Sequence, residues 1–152
     1  MSDKTTGRLD TWLLVILAGL AAGFAEVFWV LLQSGSPGTI AAGVTATFTG
    51  DPAVTATTGW MGLGIHLGLS LLLAAAFILL IWKPLRGRMG PLETFALSVA
   101  CLAGVWAFNF LVLLPIVNPA FVDLLPLGVT LTSKLLFGAA MGGVLATQRK
   151  RN

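Results

Sequence analysis

Four long apolar segments constrain this chain more than any other feature of its sequence. Each is about 21–23 residues long, close to the roughly 20 that a helix needs to cross about 30 Å of hydrocarbon. The chain is 57% hydrophobic and only 10% charged, so lipid must be the solvent for most of its surface. We therefore expect one all-α integral membrane domain over residues 1–152, a bundle of four transmembrane helices. The predicted spans are 12–32, 60–82, 92–114 and 127–147.

The basic residues predict the orientation of these spans. Apart from Lys134, all Lys and Arg residues lie in the N-terminal tail, in loop 83–91 or in the C-terminal tail. Loops 33–59 and 115–126 contain none. Because positively charged loops stay in the cytoplasm, we expect both termini to be cytoplasmic and these two loops to be external.

The long first external loop carries its own helix signal. Ser36 followed by Pro37 is typical of a helix start, with Ser as the N-cap and Pro at the first helical position. A loop of this length without internal structure would be unusual. We expect a short helix over Thr39–Phe48 that covers the outer end of the bundle.

Each predicted span also contains one strongly polar side chain, a set that we call the polar cluster. At 1.5 Å per residue, all four members lie about 7–11 Å below the predicted outer boundary. The polar cluster consists of Glu26, His66, Asn109 and Lys134. Ser70 and Thr130, each four residues from a member, are secondary candidates. A common depth predicts that the four side chains meet.

Two interpretations of the polar cluster remain open. Ionisable groups inside a membrane are costly, which favours a site for a proton, a small polar ligand or a quinone headgroup. Glu26 and Lys134 have opposite charges and are expected to pair near His66. The alternative is a network that only fixes helix register, or a Lys134 that reaches outward to the interface.

Glycines spaced four residues apart predict where the spans pack closely. Such pairs allow the backbones of two membrane helices to approach each other. They are Gly19 with Gly23, Gly64 with Gly68, and Gly138 with Gly142. In the first span, Glu26 shares a helix face with Gly19 and Gly23, so it should point into the bundle.

Several functional classes have no support in the sequence. One His and the single Cys101 fall short of the usual metal or haem ligand sets, so we expect no metal site. No basic stripe with interleaved aromatic residues indicates nucleic-acid binding. Apart from Ser70, one turn from His66, no Ser/His or Cys/His pair lies at matched depth, and that spacing alone is a weak signal, so we expect no catalytic residues. We expect no bound cofactor, with lipid or quinone contact left open.

Two resemblances add to this interpretation. The stretch IAAGVTATFTGDPAVTATTGWMGLGIHLGLS and the later FNFLVLLP resemble uncharacterised small four-span bacterial inner-membrane proteins, with I-A-x-G in a loop helix and G-x-x-x-H in the second span. This resemblance implies the four-span fold, the loop helix and the bacterial cytoplasmic membrane, but no activity. Ala25-Glu26-Val27 is also similar to the first helix of small multidrug-resistance transporters, which implies a proton- and substrate-binding role for Glu26. The long first loop and the His and Lys of later spans depart from that second pattern.

The sequence therefore favours a non-enzymatic accessory or assembly subunit of a larger membrane complex. Its partners would be membrane lipids and either other membrane subunits or further copies of itself. The alternative is a proton-coupled carrier or channel that works as a homo-oligomer through Glu26. A membrane enzyme that uses Glu26 and His66 is a third, weaker hypothesis.

Overall fold

The computed structural model describes residues 9–148, and these residues form helices joined by short connections. Four of the helices are long and apolar enough to cross a membrane, as the sequence predicted. In chain order the helices are α1 (Thr11–Gln33), α2 (Pro37–Thr49), α3 (Ala56–Leu85), α4 (Pro91–Val117), α5 (Pro119–Val122) and α6 (Leu127–Ala146). The basic tails 1–8 and 149–152, on which the predicted orientation partly rests, lie outside the described residues. The orientation stays a prediction.

Helices α3 and α4 are longer than the spans predicted from the apolar segments. Helix α3 begins earlier because Thr55 caps it: its side chain accepts from the Thr58 N–H, and the Thr58 hydroxyl accepts from the Thr55 N–H. Helix α4 continues through Pro115 instead of ending before it. The stretch before this proline, Asn109–Leu113, is π-helical, and such a widened turn accommodates a residue that cannot donate a backbone hydrogen bond.

The four spanning helices form a row in the order α3, α1, α6, α4. Helix α1 packs against α3 and α6, and α6 packs against α1 and α4. Gly19 and Gly23 lie where α1 meets α3, since a Cβ at Gly19 would stand 3.0 Å from Cα of Leu71. A Cβ at Gly138 would likewise stand 2.8 Å from Cα of Val99, where α6 meets α4. Small residues thus bring each end helix of the row onto its neighbour.

The third glycine pair lies elsewhere. No described atom comes within 4 Å of a Cβ built at Gly64 or Gly68, and both residues are exposed on α3. They therefore bring no two helices together within residues 9–148. Of the three pairs with the same spacing, only those on α1 and α6 line an interhelical contact in this chain.

One half of the bundle, nearest loop 86–90, is filled by apolar side chains from all four spanning helices. We call it the core half. Its centre is fully buried, with Ile78 and Met141 at 0% exposure and Leu102 at 2%. Small alanines on α1 and α3, such as Ala18 and Ala74, let the larger side chains fit between the helices. Close packing of this kind leaves no room for a ligand.

Helix α2 lies at the opposite end, between α3 and α5. A Cβ at Gly62 would clash with the Ala41 carbonyl oxygen, so α2 and α3 touch backbone to backbone. The Thr45 hydroxyl donates to the Thr58 carbonyl oxygen over 2.6 Å. On the other side, Asn118 Nδ2 donates to Thr47 Oγ1 over 2.9 Å. Helix α2 therefore connects the two end helices of the row.

Candidate functional site

A buried ion pair joins the two central helices. Lys134 Nζ on α6 lies 2.6 Å from Oε1 and 2.7 Å from Oε2 of Glu26 on α1. Glu26 is 6% exposed and Lys134 9%, so neither charge reaches bulk solvent. The Lys134 ammonium contacts both carboxylate oxygens, so each of the two charges is compensated by the other. Lys134 therefore pairs inward and does not reach for the interface.

Ser133 completes this pair, although the sequence had not marked it. Its hydroxyl lies 3.1 Å from Glu26 Oε1 and 2.8 Å from the Thr130 carbonyl oxygen. Ser133 is 3% exposed. The only signal in the sequence was its position next to Lys134, which is weak because adjacent helical residues do not share a face. The carboxylate is thus held from α6 by two neighbouring side chains.

His66 on α3 approaches the pair without bonding to it. Its Nε2 atom lies 3.9 Å from Glu26 Oε2, beyond hydrogen-bond distance. Nε2 is buried and has no hydrogen-bond partner among the described residues. The close contact of α1 and α3 at Gly23 brings the imidazole to this position, because a Cβ at Gly23 would meet Ser70 Oγ at 2.8 Å. A shift of about 1 Å would let Glu26 exchange one partner for another.

Asn109 on α4 is the one member of the polar cluster that stands apart. Its side chain makes no hydrogen bond to any group in residues 9–148. It begins the π-helical stretch Asn109–Leu113, a kind of irregularity that is frequent at functional sites. The structure therefore bonds two of the four predicted residues to each other, places His66 beside them, and leaves Asn109 without a hydrogen bond among the described residues.

The secondary candidates serve their own helices and a tryptophan. Ser70 Oγ donates to the His66 carbonyl oxygen over 2.8 Å. Thr130 Oγ1 donates to the Leu127 carbonyl oxygen over 2.9 Å and accepts from Trp106 Nε1 over the same distance. These bonds fix the helices around the ion pair without contacting it.

The polar cluster lines a cavity of about 1370 Å³ in the half of the bundle next to α2, which we call the cavity half. All six helices contribute to its wall, which is mainly apolar. Leu72 on α3 and Phe108 on α4 line the cavity and are 64% and 59% exposed. The two ends of the row, α3 and α4, do not pack closely against each other, so the gap between them borders the cavity. It faces sideways, where a bilayer would be.

Helices α2 and α5 close the cavity at the end of the bundle. Ala41 and Val44 of α2 and Phe121 of α5 belong to its wall. The cavity is therefore covered at its end, open at its side and floored by the ion pair and the core half. Among residues 9–148, no group of three His, Cys, Asp or Glu side chains could hold a metal ion.

Neither a family model, nor a curated protein, nor a solved structure matches this chain. The fold and the site therefore define the protein: it has four helices long and apolar enough to cross a membrane, with a charged pair at the base of a mainly apolar cavity.

Proposed function

We propose that this chain is a non-enzymatic membrane protein that takes up an amphipathic, lipid-like molecule from the bilayer and holds it in the cavity. The observation that supports this most is the cavity itself: about 1370 Å³, mainly apolar, open between α3 and α4. Sites for small molecules are typically about 300–1,000 Å³ and apolar with few polar groups, so this one suits a larger molecule with a long apolar part.

The direction of the gap between α3 and α4 supports a ligand that arrives through lipid. Exposed apolar side chains on both lips, Leu72 and Phe108, favour an acyl or isoprenoid chain over a water-soluble molecule. With the orientation predicted from the basic loops, the cavity lies in the outer half of a bacterial cytoplasmic membrane. The physiological setting we propose is that of an accessory subunit in a larger membrane complex.

The test is whether a bound molecule survives purification and depends on the cavity. Gly104 lines the cavity, and no described atom beyond its own stretch of helix lies within 4 Å of a Cβ built there, so Gly104→Trp adds an indole to the wall without a backbone clash. Gly68 is equally open but lies outside the cavity, which makes Gly68→Trp the matched control.

Native mass spectrometry from mild detergent should show one bound lipid-like mass on the wild type and on Gly68→Trp, and a loss of that mass on Gly104→Trp. Equal occupancy in both variants, or a wild type with nothing bound, would overturn the proposal. Stoichiometric co-purification of other membrane proteins tests the subunit setting separately, and a clean monomer or homodimer would contradict it.

A second candidate, a proton-coupled carrier, is favoured by the position of His66. A carboxylate that bonds to Lys134 and stands 3.9 Å from an unpartnered imidazole nitrogen has two alternative partners. Exchange between them would couple a proton to a ligand in the cavity. A pH-driven flux of the bound molecule in liposomes should then be lost in Glu26→Gln, and a flux that survives this change would rule the carrier out.

A further inference from the structure

The polar groups on the cavity wall divide into satisfied and unsatisfied sets. Glu26, Ser133 and Lys134 bond to one another. Two groups on the wall have no hydrogen-bond partner among the described residues: the buried Nε2 of His66 and the carboxamide of Asn109, which is half-buried. A carboxamide offers two donors and one acceptor, and leaving them unpaired in an apolar environment is costly. A molecule in the cavity is therefore expected to bond to Asn109.

The charges on the wall sum to zero. Among the residues that line the cavity, the titratable side chains are Glu26, His66 and Lys134. The carboxylate and the ammonium neutralise each other within 2.7 Å, and an ordinary imidazole is neutral at pH 7. A ligand with a net charge would find no counter-ion unless it broke a buried ion pair, which strongly disfavours such a ligand.

Aromatic rings follow Asn109 along the wall. Phe110 and Phe121 both line the cavity, with ring centroids 6.4 Å apart, and Trp106 stacks on Phe110 from behind at 6.3 Å. Phe110 and Phe121 give the cavity an apolar aromatic surface, with the two rings tilted by 35° to each other. Uncharged groups pack against such a surface without losing the solvation that an ion would lose.

We infer that the molecule bound here has a neutral headgroup bearing a carbonyl or hydroxyl, which bonds to Asn109, and an apolar tail that leaves between α3 and α4. This inference rests on the proposed binding function and specifies the ligand's chemistry. Isoprenoid quinones and diacylglycerols share these features. Anionic phospholipids lack them, because their phosphate requires a cation that the cavity does not offer.

The test compares four probes on the purified wild type: decylubiquinone, dioleoylglycerol, the hydrocarbon squalene and anionic dioleoylphosphatidylglycerol. At least one lipid with a neutral headgroup should bind more tightly than the anionic one. The ranking of decylubiquinone against dioleoylglycerol then shows whether the ligand is a quinone or a diacylglycerol. In Asn109→Leu, binding of that lipid should weaken by about three- to tenfold, the value of one hydrogen bond. Squalene should bind as before, and Asn109→Gln should recover part of the loss.

The outcomes separate the ligand's chemistry from the binding function. If dioleoylphosphatidylglycerol binds best, or if Asn109→Leu weakens squalene as much as the neutral lipid, the inference is wrong. The proposed function still stands in that case, provided that Gly104→Trp displaces the bound molecule. If nothing binds to the wild type, both fail together. Should Asn109→Leu not fold, the probe ranking on the wild type decides the inference.

Discussion

The core half and the cavity half use the same four helices but fill the space between them differently. In the core half, side chains from every spanning helix meet around Ile78 and Met141. In the cavity half, α3 and α4 stand apart, and α2 and α5 cover the end without filling the centre. Side-chain packing in the core half holds the four helices together. The cavity half is therefore left with space for a ligand.

The ion pair of Glu26 and Lys134 marks the boundary between the two halves. It lies one turn from the glycines that bring α1 and α6 onto their outer neighbours, Gly23 and Gly138. The pair is therefore buried between packed helices and also supplies polar groups to the cavity wall. Four sets of substitutions test this division, from the largest expected effect to the smallest.

Removing one charge of the pair should have the largest effect. Lys134→Met leaves Glu26 buried without its cation, and we expect a loss of about 3–5 kcal/mol in the free energy of unfolding. Glu26→Gln should cost a similar amount, and the double variant should recover most of it. Glu93→Gln is the control, since Glu93 is exposed in the first turn of α4 and its loss should cost less than about 1 kcal/mol.

Denaturation in mixed detergent micelles measures these free energies. Additive losses in the double variant would mean that the two residues do not interact, which would contradict the buried pair.

Truncating one apolar side chain in each half should show directly that the core half is packed more tightly than the cavity half. Met141→Ala opens a void in the core half and should cost about 2–5 kcal/mol. Leu69→Ala removes a side chain that lines the cavity and is already 39% exposed, so it should cost much less. The same denaturation assay compares the two, and equal losses would show that the cavity half is packed as tightly as the core half.

A side chain at Gly62 should displace α2. Valine there would place its Cβ against the Ala41 carbonyl oxygen, so α2 must move, at a cost of about 1–3 kcal/mol. Spin labels at the exposed positions Phe48 and Leu92 should report a longer distance between α2 and the far end of α4. Gly64→Val faces open space and is the matched control. An unchanged distance in Gly62→Val would show that the backbone contact does not hold α2.

The smallest effect should come from Ser133. Ser133→Ala removes one hydrogen bond to Glu26 and leaves the ion pair, and such bonds in membranes contribute about 0.6 kcal/mol on average. Thr132→Ala is the control, because Thr132 is half-buried and, among residues 9–148, its hydroxyl donates only to its own helix at the Gly128 carbonyl oxygen. A loss from Ser133→Ala as large as that from Lys134→Met would mean that Ser133, and not the ammonium, holds the carboxylate.

Much of the fold could be predicted because the bilayer imposes simple rules. Length and hydropathy were enough to place four spanning helices, and one polar residue per span at a common depth was enough to bring Glu26 and Lys134 together. Depth does not specify the order of helices in a row. Asn109 therefore has the expected level but, on the end helix α4, no bond to the others.

The contacts of the glycine pairs, the π-helical turn and the cavity could not be predicted from residue spacing. The three glycine pairs are identical in pattern, yet Gly64 and Gly68 face outward, because a pair of glycines permits contact without choosing a partner. The π-helical turn at Asn109–Leu113 accommodates Pro115, but the proline in the sequence does not indicate whether the helix ends before it or continues through it. The cavity arises from the separation of α3 and α4, which only the packing of the whole chain determines.

The most direct measurement is a crystal structure of the wild-type protein grown from a lipid phase. It should show one elongated molecule in the cavity half, with its polar end beside Asn109 and its tail between α3 and α4, while the core half stays filled by protein. A cavity occupied only by ordered water, or an α3 and α4 that pack together and close it, would contradict the division of the bundle into a packed half and a binding half.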